Sequence, residues 1–141
     1  MFLRNYYVNS TAKTDIHLIT HDVKRALRES GVQNGTVVVL IPGGSAGVTL
    51  LEEDPKIHEA LKEWLEAQFP TTEGARPSRR SGSGRNSAHL RAALVGVQLC
   101  IPVQNGKLMS GLWQEVVLFD FDDKMGRREI TIQILQEAGK A

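Results

Sequence analysis

The run Thr36-Val37-Val38-Val39-Leu40-Ile41 limits the fold more than any other segment of the chain. It is β-branched and apolar on both faces, so a strand built from it has to be covered on both sides, in the middle of a sheet. Asn34-Gly35 just before it is a turn signal, and Pro42-Gly43-Gly44-Ser45-Ala46-Gly47 breaks the pattern just after it. A chain of 141 residues is long enough for one sizeable core, which makes a single domain over residues 1–141 the expected organisation.

The rest of the chain arranges itself around that strand. Tyr6-Tyr7 and the alternating Asp15-Ile16-His17-Leu18-Ile19 read as two strands joined near residues 9–13, a hairpin that opens the fold. Thr20 is a good N-cap, Val23, Ala26 and Leu27 have helical spacing, and Gly31 is a stop signal, which predicts a helix over 21–30. A short apolar run at 48–51 is followed by Asp54-Pro55, a cap and a first-turn proline, predicting a helix over 55–68 whose face is traced by Ile57, Leu61, Trp64 or Leu65, and Gln68 or Phe69. Residues 70–86 are rich in Pro, Thr, Gly, Ser and Arg and read as a long loop, mobile or functional, leading into a short helix that carries His89, Leu90, Ala93 and Leu94. The last third reads as an antiparallel meander: strands over 97–103, 108–121 with Trp113 inside, and 128–135, with turns at Gln104-Asn105-Gly106 and at 122–126. The class is α+β. Cys100, the one cysteine, has no internal disulfide partner and sits between Leu99 and Ile101, which predicts a buried, inert thiol.

Bulk properties exclude several functions. Seventeen basic and sixteen acidic residues leave a net charge of +1, too little for the long-range field that gathers nucleic acid or an anionic membrane, so neither is an expected partner and any anion site is local. The longest apolar stretch falls far short of the ~20 residues of a membrane span, and the first residues lack a signal-peptide core, so a cytoplasmic protein is expected.

Four motifs could carry chemistry. Gly43-Gly44-Ser45-Ala46-Gly47 satisfies G-x-S-x-G, but a β-like run follows it where a serine hydrolase needs a helix. The same three glycines let backbone N–H groups converge on an anion, with a tight strand-to-strand connection as the plainer reading. Arg76, Arg79, Arg80, Arg85 and Arg91 are concentrated in sixteen residues, and arginine forks match phosphate or carboxylate geometry; a solvated loop is the alternative. Among His17, His21, His58 and His89 there is no metal spacing and no cofactor is indicated; only His89, beside Asn86-Ser87-Ala88 after the arginine loop, stands apart, placed either to cap packing or to face an anion. Lastly, Ser110-Gly111-Leu112-Trp113-Gln114 puts a ring and an amide beside a glycine, which in a strand often marks close approach of a backbone or a ligand; core packing would explain Trp113 alone, but less readily Gly111.

Gly43-Gly44-Ser45-Ala46 with Glu52, Asn86-Ser87-Ala88-His89-Leu90, Pro102-Val103, Gly106 and Ser110-Gly111-Leu112-Trp113-Gln114, in that order, resemble the YjbQ-like family of secondary thiamine-phosphate synthase enzymes. Leu112 stands where the family has threonine, Gly43 where it has the first histidine of His-Thr-Thr-Ala, and no histidine lies between His58 and His89, where a second is expected. The resemblance implies a mixed, largely antiparallel sheet flanked by helices, and a homotrimer. With His89 and Glu52 as the remaining donors, the metal-binding form of the family site falls short of about three ligands, and an anion held directly takes its place.

The activity that follows from the resemblance joins a pyrimidine pyrophosphate to a thiazole phosphate, a reaction served by positive charge and backbone donors around the departing pyrophosphate. On that expectation Arg79, Arg80 and Arg85 bind phosphate, the amides of Gly44 and Ser45 cradle an oxyanion next to Gly43 and Asn86, His89 and Glu52 handle protons, and Trp113 stacks on a ring beside Gln114. The alternative is a trimeric, non-catalytic relative whose site has decayed.

Overall fold

The computed structural model describes residues 1–11, 15–70, 85–122 and 124–139. The elements run β1 (Phe2–Ser10), β2 (Asp15–Leu18), α1 (Thr20–Ser30), β3 (Gly35–Leu40), β4 (Ala46–Glu52), α2 (Pro55–Gln68), α3 (Arg85–Val95), β5 (Gln98–Gln104), β6 (Lys107–Leu108), β7 (Gln114–Asp120) and β8 (Gly126–Gln136). The class is α+β, as read, with the strands divided between a five-stranded sheet, β1-β8-β3-β5-β6, and a three-stranded sheet, β2-β7-β4. Every strand pairing among the described residues is antiparallel.

Two predicted connections are corrected. The opening hairpin does not form: β1 pairs with β8 along its whole length, whereas β2 pairs with β7 in the other sheet. The C-terminal meander is likewise split, because β7 leaves β5 and β6 to join β2 and β4, and β8 returns to lie between β1 and β3. Alternation tells a chain that it is a strand, but partner choice depends on which faces can be buried together, and that is a non-local property.

β3 occupies the middle position of its sheet, as its sequence requires, with Val37 and Val39 fully buried. Its other face is only partly covered, since Val38 and Leu40 are half-buried. The strand that is covered on both faces is β7. Val116 and Leu118 enter the main core with Val37, Val39, Ile130, Ile132 and Ile134, whereas Val117 and Phe119 enter a second core with Leu65, Ala88, Ala92 and Phe121. Full burial of each such aliphatic side chain contributes about 1.5–3 kcal/mol.

Local signals explain the helices. Asp54 caps α2 through the amide of Lys56, with Pro55 in the first turn, and Gly31 ends α1 in the left-handed conformation. Thr20 does not cap α1. It is the first helical residue, and its hydroxyl instead bonds Glu115 and accepts from the amide of Val116, tying α1 to β7. On α2 the inward side chains are Leu65, Leu61 and Phe69, while Ile57 and Trp64 stay exposed. On α3, Ala88, Arg91 and Ala92 face inward and Leu90 and Leu94 outward. Small residues are needed there because α3 approaches β4 closely: a Cβ on Gly47 would lie 2.8 Å from Val95 Cγ1.

Cys100 lies in a strand, β5, but is exposed, not buried. Ile101 and Val103 point into the core, so alternation sends the intervening positions, and Cys100 on the other side of Ile101, outward. Trp113 is not inside a strand; it belongs to the turn that precedes β7 and is 68% exposed. No described helix is long and apolar enough to cross a membrane.

Candidate functional site

β4 organises the candidate residues, because the Gly-rich loop enters it at Ala46 and Glu52 ends it. At the loop end, Gly43 has φ of 117°, a backbone conformation that favours glycine. Gly44 is needed for space: a Cβ there would meet the His89 ring at 3.0 Å. The His89 Nδ1 atom is 2.6 Å from the Gly44 carbonyl oxygen. A carbonyl only accepts, so Nδ1 carries the proton and Nε2 is left as the ring nitrogen available to a ligand. The structure therefore brings the Gly-rich loop and His89 together, 45 residues apart in sequence.

The other side of the loop is held by residues that the sequence reading missed. Arg128 on β8 donates from Nε to Asp120 Oδ2 at 2.8 Å and from Nη2 to Asp120 Oδ1 at 2.7 Å, a two-pronged pair with a carboxylate that is 0% exposed. The same Nη2 lies 2.8 Å from Ser45 Oγ and 3.2 Å from Asp122 Oδ2, and Ser45 Oγ donates to Asp122 at 3.4 Å. Hydrogen bonding to Asp120 outweighs the opposing effect of burial and, with the charges of Asp120 and Asp122, holds the Arg128 guanidinium above its ordinary basicity. One signal in the sequence could have found this cluster: Asp120 and Asp122 stand on one side of a turn and Arg128 on the other.

Asp15 lies opposite Asp120 in the β2–β7 register, and its carboxylate is 2.8 Å from His17 Nε2. Burial raises the Asp15 pKa, but the amide and hydroxyl of Thr11 and the nearby His17 more than offset this, and it falls below the ordinary 3.8. His17 thus has a structural partner. His58 has one too, its Nε2 lying 3.2 Å from the Glu52 carbonyl.

Glu52, Trp113 and Gln114 gather at the opposite end of β4. Glu52 is in register with Gln114, and the amide of Glu53 donates to the Trp113 carbonyl. Six residue steps along a strand separate this end from Ala46, roughly 20 Å. Within one chain the expected single constellation is therefore two clusters, and the correction follows from β4 being fully extended between them. The Gln114 side chain closes its own turn by accepting from the amide of Gly111 at 2.7 Å, and that contact explains the glycine: a Cβ on Gly111 would lie 3.0 Å from Gln114 Oε1.

The arginines divide as well. Arg91 turns its guanidinium to groups of the chain itself. It is 1% exposed, donates to the Phe69 carbonyl from Nε and Nη2, and pairs with Glu66 at 2.6 Å. In that position it satisfies a carbonyl at the end of α2, which the helix itself leaves open. Arg76, Arg79 and Arg80 lie outside the described residues, and Arg85 opens α3 with its side chain outside them. Asn86 is exposed in the first turn of that helix. No group of three or more His, Cys, Asp or Glu that could hold a metal ion occurs among the described residues.

Residues 4–137 match the family described as UPF0047 protein YjbQ-like. The chain belongs to the YjbQ-like family. A UPF0047 protein of Methanocaldococcus jannaschii is 28% identical over 134 residues, covering 94% of each chain. The Bacillus subtilis UPF0047 protein YugU is 26% identical over 121 residues, 85% of this chain and 89% of its own. Among solved structures, an uncharacterized YjbQ/UPF0047 protein from Clostridium acetobutylicum superposes with a TM-score of 0.85 at 32% identity, covering 94% of this chain and 99% of its own. A protein of unknown function from Sulfolobus solfataricus, at 24% identity, shares the fold with a TM-score of 0.89 over 96% and 97% of the two chains. The YjbQ-like fold is thereby established for this chain.

Proposed function

We propose that this YjbQ-like protein binds a phosphorylated small molecule at the loop end of β4. The observation that carries the reading is the bond between His89 Nδ1 and the Gly44 carbonyl, which fixes the ring tautomer and leaves Nε2 for an exposed ligand. A histidine held in this way meets a phosphate oxygen as a donor when protonated and takes a proton when neutral. Gly43, the amides of Gly44 and Ser45, and Asn86 lie around it in the proposal, and Arg79, Arg80 and Arg85 supply the local positive charge that the near-neutral chain otherwise lacks. The reaction class is the thiamine-phosphate synthase type, in which such a site stabilises a departing pyrophosphate. Glu52, Trp113 and Gln114 take part only if a neighbouring subunit of a homotrimer brings its far end of β4 to this loop.

A second reading is a non-catalytic relative, and two observations favour it: Gly43 carries no side chain for proton transfer, and β4 puts Glu52 at the opposite end of the strand from the Gly-rich loop that His89 touches. Calorimetric titration of chelator-treated protein with pyrophosphate and with thiamine phosphate separates these outcomes. Saturable heat that is lost in His89→Ala and Arg80→Ala supports the site. Binding without formation of thiamine phosphate from its two precursors leaves the non-catalytic reading, and no heat with either ligand sinks the phosphate site altogether.

A further inference from the structure

We infer that Arg128 is the positioning residue for His89, acting through the peptide that joins Gly44 to Ser45; as a statement about the ligand site this rests on the reading just given. Arg128 belongs to the five-stranded sheet, whereas its partner Asp120 ends β7 of the three-stranded one and its partner Ser45 lies in the loop that leads into β4 of that sheet. Its fork is aimed by the fully buried Asp120, so the Nη2 atom that reaches Ser45 Oγ has little freedom. Ser45 is held a second time through its carbonyl, which accepts from the amide of Phe121 at 2.9 Å. The Gly44 carbonyl and the Ser45 amide lie in one rigid peptide plane. Holding Ser45 at its hydroxyl and its carbonyl therefore limits where the Gly44 oxygen can point, and that oxygen is the acceptor for His89 Nδ1. Flanking residues Gly43 and Gly44 have too few side-chain constraints to hold the peptide by themselves. The serine of the G-x-S-x-G string thus serves as an anchor between Arg128 and the loop.

Two variants and two readouts test this. Arg128→Lys keeps a cation beside Asp120 but cannot reach Asp120 and Ser45 with one planar fork, and Ser45→Ala removes only the hydroxyl contacts. Ring ¹⁵N chemical shifts of His89, assigned by their loss in His89→Gln, should show the Nδ1–H tautomer in the native protein. In both variants they should move toward the Nε2–H form of a free imidazole, while pyrophosphate binding weakens roughly tenfold, the loss of about one oriented hydrogen bond. A purely structural role would lower the melting temperature and leave the tautomer alone. Should Arg128→Lys fail to fold, Ser45→Ala alone decides. Folded Ser45→Ala protein with native His89 shifts overturns the inference. Shifted tautomers in protein that gives no heat with pyrophosphate uphold the positioning role and remove the phosphate reading, so the two failures are distinguishable.

Discussion

The two ends of β4 are built on different physics. At the loop end a buried carboxylate, an arginine fork and a serine hydroxyl are joined in one network, and the backbone they hold carries a histidine contact. At the Glu52 end the side chains that look most functional are exposed: Trp113 at 68% and Leu112 at 88%. The first end derives its geometry from within the chain, because a buried charge stays only where its partners are fixed. The second end takes only its turn from the chain, through Gln114 and Gly111, and leaves a large apolar surface open. A site assembled in this chain alone is therefore expected at the loop end, and if the proposed homotrimer forms, the exposed Trp113 end is the face it would cover.

Three substitutions break or sharpen this contrast. Asp120→Ala removes the two-pronged partner of the Arg128 guanidinium, which is 17% exposed, leaving it only the single contacts to Asp122 and Ser45, and should cost about 3 kcal/mol of unfolding free energy in a urea titration; a loss below 1 kcal/mol would mean that the network does not hold the loop end. Trp113→Ala should change the same quantity by about 0.5 kcal/mol or less in dilute protein, as expected of a surface position. If instead it costs several kcal/mol and sedimentation shows a smaller particle, the Trp113 end is buried in an oligomer. The smallest effect concerns acid. Asp15 has a pKa below its ordinary value when folded, so its contribution is present above pH 3.8 and is lost as pH falls through the lowered value. Asp15→Asn should therefore show a shallower decline of melting temperature below that pH than the native chain, and an equal slope would assign the acid sensitivity to other groups.

Much of the fold was legible because its signals are local. Asp54-Pro55 set the start of α2, Gly31 ended α1, and the valine run placed β3 in the middle of its sheet. The errors lie where one residue serves a distant element. Thr20 had the composition of a cap but bonds β7, Arg91 had the composition of an anion fork but satisfies the end of α2, and Cys100 was read from its neighbours in sequence when alternation puts it on the opposite face. In the candidate site, His89 and the glycines were visible as residue types. Their joining was not, and Arg128 was missed because a charge near a turn is ordinarily solvated.

By itself the sequence determined the α+β class, most helix boundaries, the family, and the residues from which a site could be made. Period, capping and turn chemistry act over a few residues and need no knowledge of partners. Only the tertiary structure decided that the strands form two sheets, that β7 serves two cores, and that extended β4 puts Glu52 roughly 20 Å from Ala46, where the Gly-rich loop enters the strand. Those outcomes depend on which faces bury one another and on the span of an extended backbone, and residues far apart in the chain settle both.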